Sequence, residues 1–155
     1  MTIPPEHSHS IIVSRLCRLI ANYQAKAADE GMLYVPCAGI MGRSNTWLEP
    51  DLFYVAAETN SRLDPAYPDY RTTADLVIEV ISPTSAIYDR NTKADTYAAI
   101  GVKELWLVDE SSEIIEVRVL KDDRYAPSVA FERGDELKST VLPDLRLKVD
   151  SVFGD

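Results

Sequence analysis

Apolar residues in the first part of the chain change from a helical to an extended spacing. Between residues 9 and 29 they recur every three or four positions, which predicts an α-helix. These residues are Ile12, Leu16, Leu19, Ile20 and Tyr23. Residues 32–41 and 47–55 are extended in character and predict two strands, whereas residues 58–73 are rich in Asn, Ser, Asp and Pro and predict a long polar loop.

Residues 75–81, with the sequence DLVIEVI, form the strongest strand pattern in the chain. The run is almost continuously apolar and rich in β-branched side chains, so both of its faces should be buried. Such a run is typical of a central strand in a sheet that is covered on both sides. One carboxylate, Glu79, lies inside it.

The remaining patterns complete an α/β domain. They predict a helix over about 86–100, a buried strand at 104–108, a hairpin of 113–120 with 127–131, and a closing segment at 141–153. Ser82 and Thr84 are interpreted as turn and cap residues rather than nucleophiles. We therefore predict one α/β domain over residues 1–155, with a central β-sheet flanked by α-helices.

Two acids on neighbouring predicted strands suggest a metal site. Glu79 inside an apolar strand would be desolvated at a substantial cost unless a cation or hydrogen bonds compensate it. Asp51 follows Pro50 on the preceding strand. Two such carboxylates can converge on one hard divalent cation, because Mg²⁺ prefers one or two carboxylates together with a backbone carbonyl and waters.

The predicted helix after Glu79 supplies a cation. Asp89, Lys93 and Tyr97 are spaced four residues apart and share one helix face. Lys93 lies about two turns into the helix, within reach of the end of the Glu79 strand. Acids, a metal and a lysine together are suited to phosphodiester hydrolysis. Asp89 either orients Lys93 or supports the helix dipole, and Tyr97 is interpreted as a core aromatic.

Composition limits the function classes. The 155 residues carry 25 acids against 16 Lys and Arg, a formal charge of -9, which argues against a protein that coats nucleic acid or membrane by its overall field. No run of about 18 apolar residues is present, so no membrane span is expected, and the N-terminus lacks the features of a secretory signal. Cys17 and Cys37 are interpreted as two buried, reduced thiols of a cytoplasmic protein.

Four segments together resemble the Uma2 family (DUF820) of the PD-(D/E)xK nuclease superfamily: PD at 50–51, DLVIEVISPT at 75–84, DRNTK at 89–93 and GVKELWLVD at 101–109. The resemblance implies a restriction-endonuclease-like fold with a central mixed β-sheet flanked by α-helices. It also implies that Asp51 and Glu79 bind the metal, with the Val80 carbonyl as a third ligand, and that His9 lies near the site.

Two departures from the pattern accompany this resemblance. The superfamily places its lysine two residues after the glutamate, where this chain has Ile81, and Lys93 fits the slot from which Uma2-like sequences supply it. Family members also begin with a hairpin before the histidine-led helix, and we expect that hairpin to be absent here unless Glu6 substitutes for its acid.

Two functions therefore remain open. The first is a Mg²⁺- or Mn²⁺-dependent DNA endonuclease, in which Asp51, Glu79 and Lys93 are catalytic while Asp89 and His9 support them. Because double-strand cutting generally needs two active sites, this function implies a homodimer. The second is a catalytically inactive protein of the same fold that acts as a dimeric binding or structural module. The intact acid and lysine set favours the first function, while the absent hairpin and the negative charge favour the second.

Overall fold

A seven-stranded mixed sheet forms the centre of the computed structural model, which describes residues 5–61, 71–81 and 89–154. Its strand order is β1-β4-β5-β6-β7-β8, and β9 pairs with β7 as well. These strands are β1 (Met32–Tyr34), β4 (Leu52–Val55), β5 (Leu76–Ile81), β6 (Glu104–Asp109), β7 (Ile114–Lys121), β8 (Arg124–Tyr125) and β9 (Val129–Phe131). The central pair β5–β6 is parallel, and the other pairs of this sheet are antiparallel.

Two short ribbons lie outside this sheet. One pairs β2 (Ile40–Met41) with β3 (Trp47–Leu48), and the other pairs β10 (Glu136–Leu137) with β11 (Leu147–Lys148). A 3-10 turn at Arg43–Asn45 lies between β2 and β3. The first ribbon brings the chain to the start of β4, and therefore to Asp51.

Helices cover both faces of the sheet, as the buried β5 sequence requires. They are α1 (Pro5–Ala27), α2 (Ala57–Asn60), a π-helical turn at Asp89–Lys93 that continues into α3 (Ala94–Ala99), and α4 (Val149–Phe153). On one face, Leu16 and Ile20 of α1 pack with Ile78 and Trp106 in one core cluster. On the opposite face, Tyr97 of α3 belongs to a second cluster. All six residues of β5 are buried, as the sequence predicts.

The first helix and the two early strands differ from their predicted bounds. The predicted helix over 9–29 begins earlier and ends earlier, at Pro5 and Ala27. The predicted strand 32–41 is divided into β1 and β2, since Pro36 has no N–H to pair and Cys37 has a φ of 77°, in the left-handed region. The predicted strand 47–55 is likewise divided into β3 and β4 around Pro50, which has no N–H to pair.

Two predicted segments fall partly outside the described residues. Within the predicted loop 58–73, the structure has the helix α2, while residues 62–70 lie outside the description. The helix predicted over 86–100 is described from Asp89, where its first turn is π-helical rather than α-helical. The predictions for Ser82 and Thr84 also lie outside the described residues.

The later elements agree better with the sequence. The strand predicted at 104–108 is β6, and the predicted hairpin is the antiparallel pair of β7 and β9. Within the predicted closing segment 141–153, the structure has β11 and α4. Trp106 is fully buried in the core.

The prediction that both cysteines are buried was wrong. Both thiols are free, but Cys37 is exposed and Cys17 is only partly buried. Cys37 follows Pro36 in the turn between β1 and β2 rather than lying in a strand, which explains its exposure.

Among the helices of the described ranges, none combines the length and apolar character that crossing a membrane demands.

Candidate active site at the ends of strands β4 and β5

Glu79 lies near the carboxyl end of β5, and the residue is only 3% exposed. The π-helical turn and α3 bring two donors to one of its oxygens. Tyr97 donates its hydroxyl to Oε1 at 2.5 Å, and the Lys93 ammonium lies 3.2 Å from the same oxygen. Lys93 and Tyr97 are one helical turn apart, so both can reach the same atom. The buried acid therefore has a cationic and a neutral donor.

Burial dominates the electrostatics of Glu79. Desolvation raises the pKa of its carboxyl from 4.5 to about 7. The Lys93 ammonium and the Tyr97 hydroxyl oppose this shift of the pKa, while the nearby negative charge of Asp51 adds to it. The Asp51 contribution indicates that the two carboxylates interact electrostatically. Near neutral pH, Glu79 therefore exists in both protonated and ionised forms.

Asp51 occupies the gap between β3 and β4 that Pro50 creates. It lies one residue before Leu52, which pairs with Ile78, so the same antiparallel register would place Asp51 opposite Glu79. The Val80 backbone N–H donates to Asp51 Oδ2 at 2.8 Å. The carboxylate of Asp51 thus replaces the next backbone partner of β5 and is held beside the end of that strand.

His9 reaches Asp51 from the opposite layer. Its Nε2 lies 3.1 Å from Asp51 Oδ1, which connects the start of α1 to the end of the sheet. The two side chains are 37% and 21% exposed. The Asp51 carboxylate is therefore contacted through one oxygen by the α1 layer and through the other by β5.

The π-helical turn that carries Lys93 is tied to the sheet by arginines. Arg90 Nη2 lies 2.9 Å from Asp109 Oδ2 at the end of β6, and Arg118 Nη1 donates to the Arg90 backbone carbonyl at 2.9 Å. Arg118 also lies 3.4 Å from Glu116 on its own strand. Because π-turns interrupt regular helix geometry and often occur at functional sites, this anchored turn fits a role in placing Lys93.

Five of the six site residues predicted from the sequence contact another member of the set. Contacts join His9 to Asp51, Asp51 to the Val80 backbone, and Lys93 to Glu79. Asp89 begins the π-helical turn, and its side chain lies outside the described part of the chain.

Sequence reasoning overlooked the polar end of Tyr97. The ring is buried in the core, as predicted, but its hydroxyl binds Glu79. The signal was its position four residues after Lys93, because residues at that spacing face the same neighbour. The Arg90 and Arg118 contacts were also missed, since they depend on how the turn packs against β6 and β7.

The oxygen atoms of Asp51, Glu79 and the nearby backbone are ligands of the kind that a hard divalent cation prefers. Across residues 5–61, 71–81 and 89–154, no three His, Cys, Asp or Glu side chains form a group that could hold a metal by themselves. A zinc-like cage of side chains is therefore not offered by these residues. Two carboxylates next to a strand-end backbone match the needs of Mg²⁺, which keeps several waters.

Comparison with known proteins identifies the family. No curated protein matches the chain. A solved structure, described as a "putative nuclease belonging to DUF820" from Anabaena variabilis, superposes with a TM-score of 0.75 at 16% identity, covering 99% of this chain and 82% of that one. This likeness confirms the predicted restriction-endonuclease-like fold. The family model Uma2, described as "putative restriction endonuclease", matches residues 1–150. The chain belongs to the Uma2 family.

Proposed function

We propose that this protein is a Mg²⁺- or Mn²⁺-dependent endonuclease that hydrolyses phosphodiester bonds in DNA. One observation carries the proposal. The Asp51 carboxylate accepts the Val80 N–H at 2.8 Å, and the Lys93 ammonium lies 3.2 Å from Glu79, the residue before Val80. These contacts support the proposal, because two acids and a lysine near one end of the sheet are suited to metal-dependent phosphodiester hydrolysis.

The cation would be held by Asp51, Glu79 and the Val80 carbonyl. In a strand, the N–H and C=O of one residue point to the same side. Because the Val80 N–H points at Asp51, its carbonyl is expected on the Asp51 side as well. A bound cation would supply an activated water and a positive charge at the phosphate.

Lys93 is suited to stabilise the negative charge that develops on the phosphate. Its side chain is 33% exposed, in contrast to the almost fully buried Glu79, so its ammonium can leave Oε1 toward solvent. A flexible stem with a compact charge allows that movement. Electrostatic stabilisation of a developing charge by a preorganised donor typically contributes about 100- to 1000-fold to the rate.

His9 and Asp89 would support these groups. The contact of His9 Nε2 with Asp51 Oδ1, together with the Val80 N–H on Oδ2, would limit the rotation of that carboxylate. Asp89 precedes Lys93 by four residues and begins the π-helical turn, a position from which a carboxylate can orient the lysine.

The test is cleavage of plasmid and single-stranded DNA with Mg²⁺ or Mn²⁺ present or removed by a chelator. We expect Asp51→Asn and Lys93→Ala each to lower the cleavage rate by about 100-fold or more. Asp123→Asn and Lys121→Ala make the same charge changes at exposed positions of the β7–β8 turn and should cleave as the unaltered protein does. Equal cleavage by Asp51→Asn and the unaltered protein would assign the activity to a contaminant or to another site.

A second candidate is a catalytically inactive, dimeric binding or structural module of the same fold. The formal charge of -9 favours it, because repulsion from phosphates weakens DNA binding. Metal binding without cleavage of either DNA form would support this second function and contradict the first.

The endonuclease proposal includes a homodimer in the cytoplasm. Two active sites are needed to cut both strands at one place, and two free thiols suit a reducing compartment. Light scattering of the purified protein, which gives its mass in solution, tests the dimer.

A further inference from the structure

We propose that Tyr97 is a positioning residue of the candidate metal site, where its hydroxyl holds Glu79 by Oε1 and so presents Oε2 to the cation. The inference rests on the metal site of the proposed function. Among the described residues, both donors to Glu79, Tyr97 and Lys93, go to Oε1, and no donor goes to Oε2.

Burial makes Tyr97 a fixed donor. The residue is 1% exposed, and its ring lies in the core cluster that contains Phe53, Val77 and Leu105. A packed phenol has only two side-chain torsions, so its hydroxyl cannot follow a moving partner. The direction of the hydrogen bond to Oε1 is therefore set by the core, and the plane of the Glu79 carboxylate is set with it.

Lys93 cannot perform this task throughout a reaction. Its ammonium is on a flexible, one-third exposed side chain, and a divalent cation bound beside Glu79 would repel it. The Tyr97 hydroxyl is neutral and is not repelled. When Lys93 turns toward a phosphate, Tyr97 remains on Oε1 and keeps Glu79 oriented.

Partners that orient metal ligands in this way have a measurable effect, because their removal typically lowers metal affinity by about 10- to 100-fold. Tyr97→Phe deletes only the hydroxyl and retains the ring in the core. We expect it to bind Mn²⁺ at least about 10-fold more weakly than the unaltered chain, as measured by electron paramagnetic resonance of the free ion. The pH of half-maximal Mn²⁺ binding should also rise, since a donor to the ionised carboxylate is lost.

Tyr125→Phe is the matched control. Tyr125 also packs against the same core cluster, but its hydroxyl donates to the Val102 carbonyl at 3.0 Å instead of to an acid. This variant should keep the Mn²⁺ affinity and the pH of half-maximal binding of the unaltered chain. Equal weakening by Tyr97→Phe and Tyr125→Phe would show a general packing effect and overturn the proposal.

Lys93→Met provides the second test, which does not depend on the folding of Tyr97→Phe. With Tyr97 still on Oε1 and one nearby positive charge removed, we expect Mn²⁺ to bind as tightly as to the unaltered chain, or more tightly. Weaker binding by about 10-fold would mean that Lys93 holds Glu79, and would overturn the role assigned to Tyr97.

The outcomes separate this inference from the proposed function. Mn²⁺ binding by the unaltered chain, weakened in Tyr97→Phe but without DNA cleavage, would support the positioning role and contradict the nuclease. Cleavage with unchanged Mn²⁺ binding in Tyr97→Phe would support the nuclease and overturn the positioning role. Failure of the unaltered chain to bind Mn²⁺ would contradict both.

Discussion

Glu79 on β5 and Glu104 on β6 are both buried, yet they differ in which of their carboxylate oxygens accept hydrogen bonds. Glu104 is fully buried, and both of its oxygens accept hydrogen bonds. Trp106 Nε1 donates to Oε1 at 2.6 Å, while Thr140 donates to Oε2 through its N–H at 2.8 Å and its hydroxyl at 2.6 Å. Glu79, in contrast, receives on Oε1 both of the donors that the described part of the chain brings to it.

The difference separates an acid whose two oxygens both accept hydrogen bonds from one whose Oε2 is contacted by no donor among the described residues. A buried carboxylate costs least when all its acceptor sites are used, as in Glu104. Asp75 follows the Glu104 pattern, because Lys103 and Thr59 contact Oδ1 while the Ala56 N–H donates to Oδ2. Burial by itself therefore does not separate these three acids, whereas hydrogen bonding from the described residues on one oxygen alone sets Glu79 apart from the other two.

The largest expected effect is the loss of DNA cleavage when Glu79 is replaced by glutamine, with Glu104→Gln as its control. Glu79→Gln removes the charge that would hold the cation, so metal-dependent DNA cleavage should fall by about 100-fold or more. Glu104→Gln should leave cleavage per folded molecule unchanged, because the described donors to Glu104 are Trp106 and Thr140 rather than the residues that contact Asp51 or Glu79. The measurement is the initial cleavage rate, normalised to the folded fraction from circular dichroism. A comparable loss in both variants would remove the distinction between the two acids.

The pH dependence of stability should show the next largest effect. Because the pKa of Glu79 is about 7 in the folded chain and near 4.5 when unfolded, the folded state binds the extra proton between these values. The free energy of unfolding therefore loses up to about 1.4 kcal/mol per pH unit from this residue as the pH rises through that window, and nothing more above it.

Glu79→Gln has no such proton to lose. Its unfolding free energy minus that of the unaltered chain should therefore increase from about pH 4.5 to about pH 7 and then level off. Urea unfolding at several pH values, without divalent cations, measures this difference. A difference that stays constant across the window would mean that Glu79 ionises as an ordinary carboxyl.

Glu104→Gln should lower stability at every pH. The amide nitrogen of glutamine would face either the buried Trp106 N–H or the two donors of Thr140, so at least one donor would lose its acceptor. The expected loss in unfolding free energy is about 1–2 kcal/mol, measured by urea unfolding. Unchanged stability would show that the paired oxygens of Glu104 contribute no more to the fold than a neutral amide does.

The smallest effect on stability is expected from removing the ion pair of Asp75. Lys103 contacts Asp75 Oδ1, but its side chain is 64% exposed. Lys103→Gln should therefore cost no more than about 0.5–1 kcal/mol, because exposed ion pairs contribute little and Thr59 and the Ala56 N–H remain. Thermal unfolding in low and high salt measures it, and a loss above 2 kcal/mol would make the ion pair the main partner of Asp75.

The central part of the fold could be predicted because its sequence pattern is local. The run around Glu79 indicated a buried central strand, and the structure has β5 there with all its residues buried. Helices on both faces follow from that pattern, since two buried faces need two covers. The nearness of Asp51 could be anticipated as well, because it lies on the strand predicted just before that of Glu79, and strands that follow one another in sequence commonly pair.

The parts that depend on three-dimensional distances could not be predicted. The hydroxyl of Tyr97 reaches Glu79 because of how closely α3 packs against β5. The spacing of residues along the chain does not specify that distance. The π-helical turn is fixed by Arg90 contacts with β6 and β7, not by local propensity. The pattern of residues 32–41 predicts one extended run around Cys37, because Pro36 is compatible with an edge strand or a bulge as well as with a break.

The Val80 N–H, bound by the Asp51 carboxylate, has a consequence for amide hydrogen exchange. Within a regular sheet the exchange rate of an amide reports opening of the strand, but this amide is protected by a side chain. Its protection thus depends on how Asp51 is oriented as well as on the opening of β5. The Val80 amide signal is therefore a reporter of the Asp51 carboxylate within a strand whose residues are all buried.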